Sequence, residues 1–208
     1  MAEDFSPFGD LFETLPGRAV PGYLELLNLH DGRSAVLSLR KACATDRQVV
    51  SSQVRAMLGH VNWRVKLVAA SAMIVGNLTE CLDELWAALD RPCWTSPQLA
   101  ATAALVDPDF LDKAHVRLNR RCPMVSDRNP TLSAIARHVA MGPASDAGHS
   151  AKLFSALFAL CQELKASWLV ELETEDDVKA LLAADRHDGG SIALDWKAEI
   201  TTLKNQTA

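Results

Sequence analysis

The feature that most constrains the fold of this chain is a self-match at an offset of 31 residues. Residues 54–75 align with residues 85–106, and seven of the 22 aligned positions are identical. The identical pairs are Ala56/Ala87, Leu58/Leu89, Trp63/Trp94, Ala69/Ala100, Ala70/Ala101, Ala72/Ala103 and Val75/Val106. A fixed period of roughly 20 to 50 residues is typical of repeat architectures, whose units stack on their neighbours. The sequence therefore predicts a repeat protein.

Each copy is predicted to fold as two helices. Asp46 and Asn77, again 31 residues apart, are expected to start the first helix of each copy, because their side chains can accept hydrogen bonds from free N–H groups of the first turn. The second helices are expected to begin near Asn62 and at residues 95–97, where Pro97 suits a first turn. Alanines three apart in both second helices predict a seam at which neighbouring helices approach closely.

Helical patterns also flank the repeats. Residues 23–30 and 33–44 are expected to form a helix pair, and residues 150–165, 174–185 and 191–203 three further helices, with Gly189-Gly190 as a helix stop. Asn129-Pro130 and residues 132–136 suggest a third, degraded copy. Residues 168–173 alternate in a way that leaves a strand open as an alternative. We expect one domain, 1–208, with an N-terminal cap (1–45), a repeat core (46–140) and a C-terminal helical cap (141–208).

The second helix of the first copy resembles a known repeat class. Residues 61–72 read Val-Asn-Trp-Arg-Val-Lys-Leu-Val-Ala-Ala-Ser-Ala, and Val65-Lys66 and Ala69-Ala70 match the Val-Arg and Ala-Ala positions of short HEAT-like repeats. The resemblance covers residues 46–140. It implies an all-α solenoid, a right-handed superhelix of antiparallel helix pairs with irregular terminal caps. In the second copy Ser96-Pro97 replaces the Val-Arg pair, which puts a continuous ladder of basic side chains in doubt.

Charge is unevenly distributed along the chain. The 208 residues are 49% hydrophobic and 23% charged with a formal net charge of −5, which argues for a globular protein and against a dedicated nucleic-acid binder. Residues 113–137 carry six basic side chains and one acid, whereas residues 163–188 carry eight acids. We interpret both runs as solvated helix faces, with a steered protein contact as the alternative.

Sequence signatures of catalysis and metal binding are missing. The chain contains no phosphate-binding glycine loop, serine elbow or zinc-protease motif. Its five cysteines have no C-x-x-C pair, so we expect reduced core thiols. Asp107-Pro108-Asp109 is interpreted as a helix start, with Asp107 as the capping residue and Asp109 in the first turn. No cofactor, metal or small-molecule substrate is expected.

The residues proposed to bind a partner are tryptophans and arginines, the side chains most common at interface hot spots. They are Trp63, Arg64, Trp94, Arg117, Arg120 and Arg121. The two tryptophans occupy equivalent repeat positions, which favours packing between layers, with exposure as the alternative. The N-terminal Phe5, Phe8 and Phe12 have helical spacing and are either a docked cap or an arm for a partner.

These observations favour a cytoplasmic, non-enzymatic protein-binding module, either a stoichiometric inhibitor such as an immunity protein against a bacterial toxin, or an assembly adaptor. The alternatives are a HEAT-like lyase or base-excision enzyme using Trp63, Trp94 and Asp109, and a nucleic-acid binder using residues 113–137. The longest apolar stretch, residues 67–75, is too short to span a bilayer, and the first residues lack the pattern of a secretory signal.

Overall fold

The computed structural model describes residues 5–29, 31–121 and 146–207, which form helices and turns without a strand. The α-helices are α1 (Gly22–Asn28), α2 (Arg33–Cys43), α3 (Arg47–Gly59), α4 (Trp63–Gly76), α5 (Leu82–Leu89), α6 (Ser96–Val106), α7 (Phe110–Asn119), α8 (Asp146–Glu163), α9 (Leu169–Glu173), α10 (Asp176–Ala184) and α11 (Gly189–Gln206). Short 3-10 turns occupy Gly9–Leu11 and Thr79–Cys81. The predicted all-α class is confirmed for this part of the chain.

The two predicted repeat copies fold as the helix pairs α3–α4 and α5–α6. Asp46 caps α3, since its carboxylate accepts two backbone N–H groups of the first turn at 2.8 and 3.1 Å. Asn62 caps α4 and accepts one N–H at 3.0 Å. Helix α6 begins at Ser96 with Pro97 in its first turn. These three predicted helix starts are confirmed.

The predicted helix start at Asn77 is wrong. Asn77 ends α4 in the left-handed conformation, with φ of 50°, and its N–H donates to the carbonyl of Met73. Asparagine tolerates this conformation better than most residues do, so the same residue type serves at the opposite end of a helix. A 3-10 turn follows, and α5 begins only at Leu82. The first helix of the second copy therefore has 8 residues, against 13 in α3.

Helices α4 and α6 pack against each other and are buried on every side. Helix α4 also contacts α1, α2 and α3, while α6 also contacts α5, α7, α8 and α11. Every residue in 65–74 and in 96–103 is buried. The seam alanines have no exposed surface: Ala69, Ala70, Ala72, Ala100, Ala101 and Ala103. The predicted packing seam is confirmed, while the superhelical course of the helix pairs stays a prediction.

The N-terminal segment is docked on the helices that follow it. Phe8 and Leu11 are fully buried, and Phe5 and Phe12 pack against the core. Gly22, at the start of α1, has room for no side chain, because a Cβ would lie 2.7 Å from a methyl carbon of Leu11. Of the two alternatives for this segment, the structure shows the docked one.

The C-terminal helix α11 packs on α6 and α8 and reaches back to the first two helices. The indole N–H of Trp196 donates to the carbonyl of Leu26 in α1 at 2.8 Å. Arg40 of α2 donates to the carbonyl of Lys204 at 2.6 Å and to the hydroxyl of Thr207 at 3.0 Å. Helix α11 thus covers a face of α6 that would be accessible to a partner in a repeat array without this helix.

Two details of the C-terminal half differ from expectation. Gly189 and Gly190 begin α11 and do not stop a helix. A Cβ on Gly189 would lie 2.2 Å from the carbonyl oxygen of Lys152, so glycine here lets α11 approach α8 closely. Residues 169–173, where a strand was the alternative, form the short helix α9. The suggested third copy and its Asn129-Pro130 cap lie outside the described residues.

The alanine seam gives a test of the packing. Replacing Ala69 or Ala100 by leucine adds three carbons to a fully buried contact, so each variant is expected to lose about 1 to 3 kcal/mol of unfolding free energy. Urea denaturation followed by circular dichroism measures this loss. The exposed Ala198 in α11 provides a matched control, and Ala198→Leu is expected to leave the midpoint unchanged. Equal midpoints for all three variants would contradict the seam.

Candidate functional site

The sides of α4 and α6 are buried, so the exposed residues that adjoin these helices lie at their ends, and the N-terminal ends carry an exposed tryptophan and an exposed arginine. The two ends are neighbours, since the hydroxyl of Thr95 donates to the carbonyl of Trp63 at 3.5 Å. Val61 is 92% exposed and Trp94 is 43% exposed. We call this surface, formed by Tyr23, Val61, Trp63, Arg64 and Trp94, the aromatic edge.

Trp63 and Arg64 form the first half of the aromatic edge. Trp63 is half-buried and meets Tyr23 edge-on, with ring centroids 6.1 Å apart. The exposed guanidinium of Arg64 lies 4.6 Å from the Trp63 ring centroid and 5.5 Å from that of Tyr23. Such cation–π contacts orient an arginine side chain while leaving its N–H groups open to solvent. Arg64 is therefore held in place without an ion pair among the described residues.

Trp94 forms the second half of the aromatic edge, and its expected burial is wrong. The ammonium of Lys152 in α8 lies 4.3 Å from the Trp94 ring centroid and donates to the Trp94 carbonyl at 3.2 Å. His187 contacts the ring at a centroid distance of 5.8 Å. Lys152 is buried beside the ring and His187 is exposed, and together they leave 43% of Trp94 exposed, so they do not enclose the ring as a packed layer would. Equivalent sequence positions therefore have different surroundings in the two copies.

A cleft of about 300 Å³ lies beside Trp94, between α1, α6, α8 and α11. Lys152 lines it and is only 2% exposed, and burial lowers the pKa of its ammonium, with Asp185 acting in the opposite sense. Gln98 lines the same cleft, and its buried side-chain oxygen has no hydrogen-bond partner. Sequence analysis missed both residues, because no spacing pattern links two polar positions on distant helices.

Arg117 is engaged inside the molecule. Its guanidinium makes a two-pronged ion pair with Asp90, at 2.8 and 2.9 Å, and lies 4.3 Å from the ring centroid of the buried Trp86. Trp86 also stacks on Phe110, with centroids 6.0 Å apart. Arg117 therefore joins α7 to α5, and its predicted role in partner binding has no support from this geometry.

Asp107 is not the N-cap of α7 as expected, because Asp109 holds that position and Asp107 directly follows α6. One carboxylate oxygen accepts the Asp109 N–H at 2.9 Å, and the other accepts the Trp86 indole at 2.6 Å and the Lys113 ammonium at 2.8 Å. Burial alone would raise the pKa of Asp107, but these donors together lower it. Since a buried carboxylate needs such partners, Asp107 joins α5 to the start of α7.

Arg120 and Arg121 are adjacent in sequence but differ in surroundings. Arg121 forms ion pairs with Glu175 and with Asp177, the latter at 2.8 Å, and so ties the end of α7 to α10. Its guanidinium lowers the pKa of Asp177. Arg120 is exposed. From the sequence alone, changing both arginines to glutamate would be expected to leave stability unchanged. Because Arg121 is in ion pairs, the double change is instead expected to lower stability.

The charges of the basic and acidic runs are partly neutralised by ion pairs within the molecule. Of the four basic residues between 113 and 121, Lys113, Arg117 and Arg121 are in ion pairs within the molecule. In the acidic run, Glu163 pairs with Lys197 at 2.5 Å. Residues 122–137 lie outside the described residues. In the described part, the basic run therefore presents no continuous cationic surface for phosphates.

The three residues considered for catalysis do not converge. Trp63 and Trp94 lie at the N-terminal ends of α4 and α6, whereas Asp109 is exposed beyond the C-terminal end of α6. The 11 residues of α6 separate its ends by about 16 Å. A cleft containing both tryptophans therefore cannot use this carboxylate.

The cysteines in the described ranges are free thiols. Burial raises the pKa of Cys43 and of Cys81 to about 11, and that of Cys161 to about 12. These thiols are protonated and poorly nucleophilic at neutral pH, in agreement with the expected core role. Cys93, beside Trp94, is half-buried. Cys122 lies outside the described residues.

Comparisons with protein-family models, with curated proteins and with solved structures returned no match. Within residues 5–29, 31–121 and 146–207, no three histidine, cysteine or acidic side chains are grouped so that they could hold a metal ion. None of the helices described above combines the length and apolar character needed to cross a membrane.

Asp107→Asn tests the buried carboxylate. Its lowered pKa means that the ionised form stabilises the fold at pH values above about 4, and that this contribution disappears as the pH falls through the pKa of the folded state. The variant is expected to be less stable at pH 7 by about 1 to 3 kcal/mol, with a smaller difference at lower pH. Denaturation curves at several pH values measure this, with the exposed Asp109→Asn as control. A difference that is constant with pH would contradict the assignment.

Arg121→Glu and Arg120→Glu form a second matched pair. Arg121→Glu places a third carboxylate against Glu175 and Asp177, so a loss of about 1 to 3 kcal/mol is expected. Arg120→Glu is expected to change stability by less than about 0.5 kcal/mol. Thermal and urea denaturation distinguish the two, and equal effects would show that the link between α7 and α10 contributes nothing.

Proposed function

We propose that the protein is a non-enzymatic protein-binding module that contacts its partner through the aromatic edge. The observation that carries this proposal is the exposure of Val61, Arg64 and Trp94 at the N-terminal ends of two helices whose sides are buried. Tryptophan and arginine account for much of the binding energy of protein interfaces when a partner desolvates them.

The aromatic edge is favoured over a curved inner face. Solenoids commonly bind partners along the sides of their helices, but every residue of 65–74 and of 96–103 is buried here. Helix α11 occupies one of the faces concerned. A partner can therefore reach α4 and α6 at their ends, of which the N-terminal ends carry the exposed Val61, Arg64 and Trp94.

The chemistry of the aromatic edge indicates the kind of protein surface that fits it. Arg64 is oriented by two aromatic rings and has no carboxylate partner among the described residues, so it is available to an acidic group. Val61 and the free part of the Trp94 ring need an apolar depression. The expected partner surface is an apolar pocket bordered by carboxylates.

A stoichiometric inhibitor is the role we favour, with an immunity protein against a bacterial toxin as the leading example and an assembly adaptor as the second. Support comes from the resemblance of residues 61–72 to HEAT-like repeats, a class that includes inhibitors and immunity proteins. This support is an analogy at the level of fold. The net charge of −5 also suits an inhibitor of a basic enzyme, since opposite charges speed association.

A quantitative pull-down from native lysate tests the proposal with two matched double variants. Val61→Asp with Arg64→Glu alters the aromatic edge. Val116→Asp with Arg120→Glu makes the same kinds of change on α7, at residues that are also exposed. A protein retained in stoichiometric amount by the natural sequence is expected to be kept by the α7 variant and reduced at least about tenfold by the edge variant.

Circular dichroism melts establish that both double variants are folded. Retention of the partner by the edge variant together with its loss from the α7 variant would move the interface to α7 and contradict the proposal. The absence of any stoichiometric partner under gentle conditions would contradict protein binding itself.

A further inference from the structure

The cleft beside Trp94 contains a buried cation that forms no ion pair among the described residues. The Lys152 ammonium contacts the Trp94 ring and donates to the Trp94 carbonyl, and Asp185 attracts it without pairing with it, although the residue is 2% exposed. A buried lysine is costly unless an anion pairs with it. The wall formed by α8 therefore provides a binding group for a carboxylate.

Gln98, on the α6 wall of the cleft, is also incompletely satisfied. The residue is 4% exposed, and its side-chain oxygen is buried without a hydrogen-bond donor in reach. Native proteins rarely leave such an acceptor unpaired, and a bound ligand is one way of supplying the donor. An N–H group of a ligand in the cleft would satisfy this oxygen.

The α11 wall carries negative charge. Asp195 and Glu199, four residues apart on one face of α11, both line the cleft and are exposed. Neither forms an ion pair among the described residues. Lys152 pairs with neither of them, so the opposite charges on the two walls remain separate. An ammonium group in the cleft would meet these carboxylates.

Apart from Asn28, the rest of the lining is apolar, and the space is small. Leu27, Leu29, Ile192 and the Trp196 ring line it, and the indole N–H of Trp196 is already bonded to the Leu26 carbonyl. A volume of about 300 Å³ is at the lower end of the range for small-molecule sites. It fits a ligand with one short apolar group.

We propose that this cleft binds a free α-amino acid with an apolar side chain. The carboxylate of the ligand pairs with Lys152, its ammonium with Asp195 and Glu199, and one of its N–H groups with the Gln98 oxygen. The apolar side chain packs against Leu27, Ile192 and Trp196. This site shares Trp94 with the aromatic edge but not Val61 or Arg64, so the Val61→Asp, Arg64→Glu variant leaves every proposed contact to the amino acid in place.

Isothermal titration of the full chain tests the proposal with L-leucine, L-isoleucine, L-methionine and L-phenylalanine as probes. At least one of them is expected to bind with a dissociation constant in the micromolar to low millimolar range. The N-acetyl derivative of that amino acid lacks the ammonium, and its amide lacks the carboxylate. Both derivatives are expected to bind at least about tenfold more weakly, because each loses one charge-assisted contact.

Variants locate the binding in the cleft. Lys152→Met removes the ammonium but keeps the length of the side chain, and it is expected to weaken binding at least about tenfold. Lys66→Met is the matched control. Lys66 is similarly buried, at 4% exposure, but lies in α4 away from the cleft, so this variant is expected to bind the amino acid normally. Asp195→Asn with Glu199→Gln alters only exposed residues, so this variant is expected to fold and to bind more weakly. It tests the cleft independently if Lys152→Met does not fold.

Three results would overturn the proposal. The first is the absence of binding of all four probes at about 10 mM. The second is equal affinity for the free amino acid and its two derivatives, which would mean that the charged groups are not recognised. The third is binding that survives in the folded variants with Lys152 changed or with Asp195 and Glu199 changed.

Discussion

The structure depends on the burial of two neighbouring helices, α4 and α6, that have no polar face. A helix that is apolar all round is stable in water only when other helices cover every side of it. Alanine at positions such as 69 and 100 lets the two helices approach closely, and the surrounding helices must then come from both halves of the chain. This requirement explains why α11 returns to α6 and reaches α1 and α2.

The same burial determines which parts of the repeat can take part in binding. Because the sides of α4 and α6 are covered, the accessible residues lie at and beyond their ends, and those at the N-terminal ends include Val61, Arg64 and Trp94. The polar groups near the core differ in how many hydrogen-bond and charge partners they have. Asp107 has three donors, whereas Lys152 forms no ion pair and the side-chain oxygen of Gln98 has no donor. Asp107 joins two helices, while Lys152 and Gln98 lie together in the cleft.

The charged runs show how sequence and tertiary structure are related in this protein. Arg121 and Asp177 are 56 residues apart, and each belongs to a run of like charge that a solvated helix face would explain. In the folded chain these runs meet between α7 and α10, and several charges neutralise one another. The net charge of a segment therefore overestimates what that segment presents to a partner.

The helical class, the 31-residue repeat, the alanine seam and the helix starts at Asp46, Asn62 and residues 95–97 could be predicted from the sequence, because these depend on local hydrogen bonding and on the spacing of small and apolar residues. The folded chain was needed to show that Asn77 ends a helix, that Gly189 begins one, and that Trp94 is exposed. It also brought Lys152, Gln98 and Asp195 to one cleft. Their roles depend on which surfaces of distant helices pack together, and periodicity within a single helix contains no information about that.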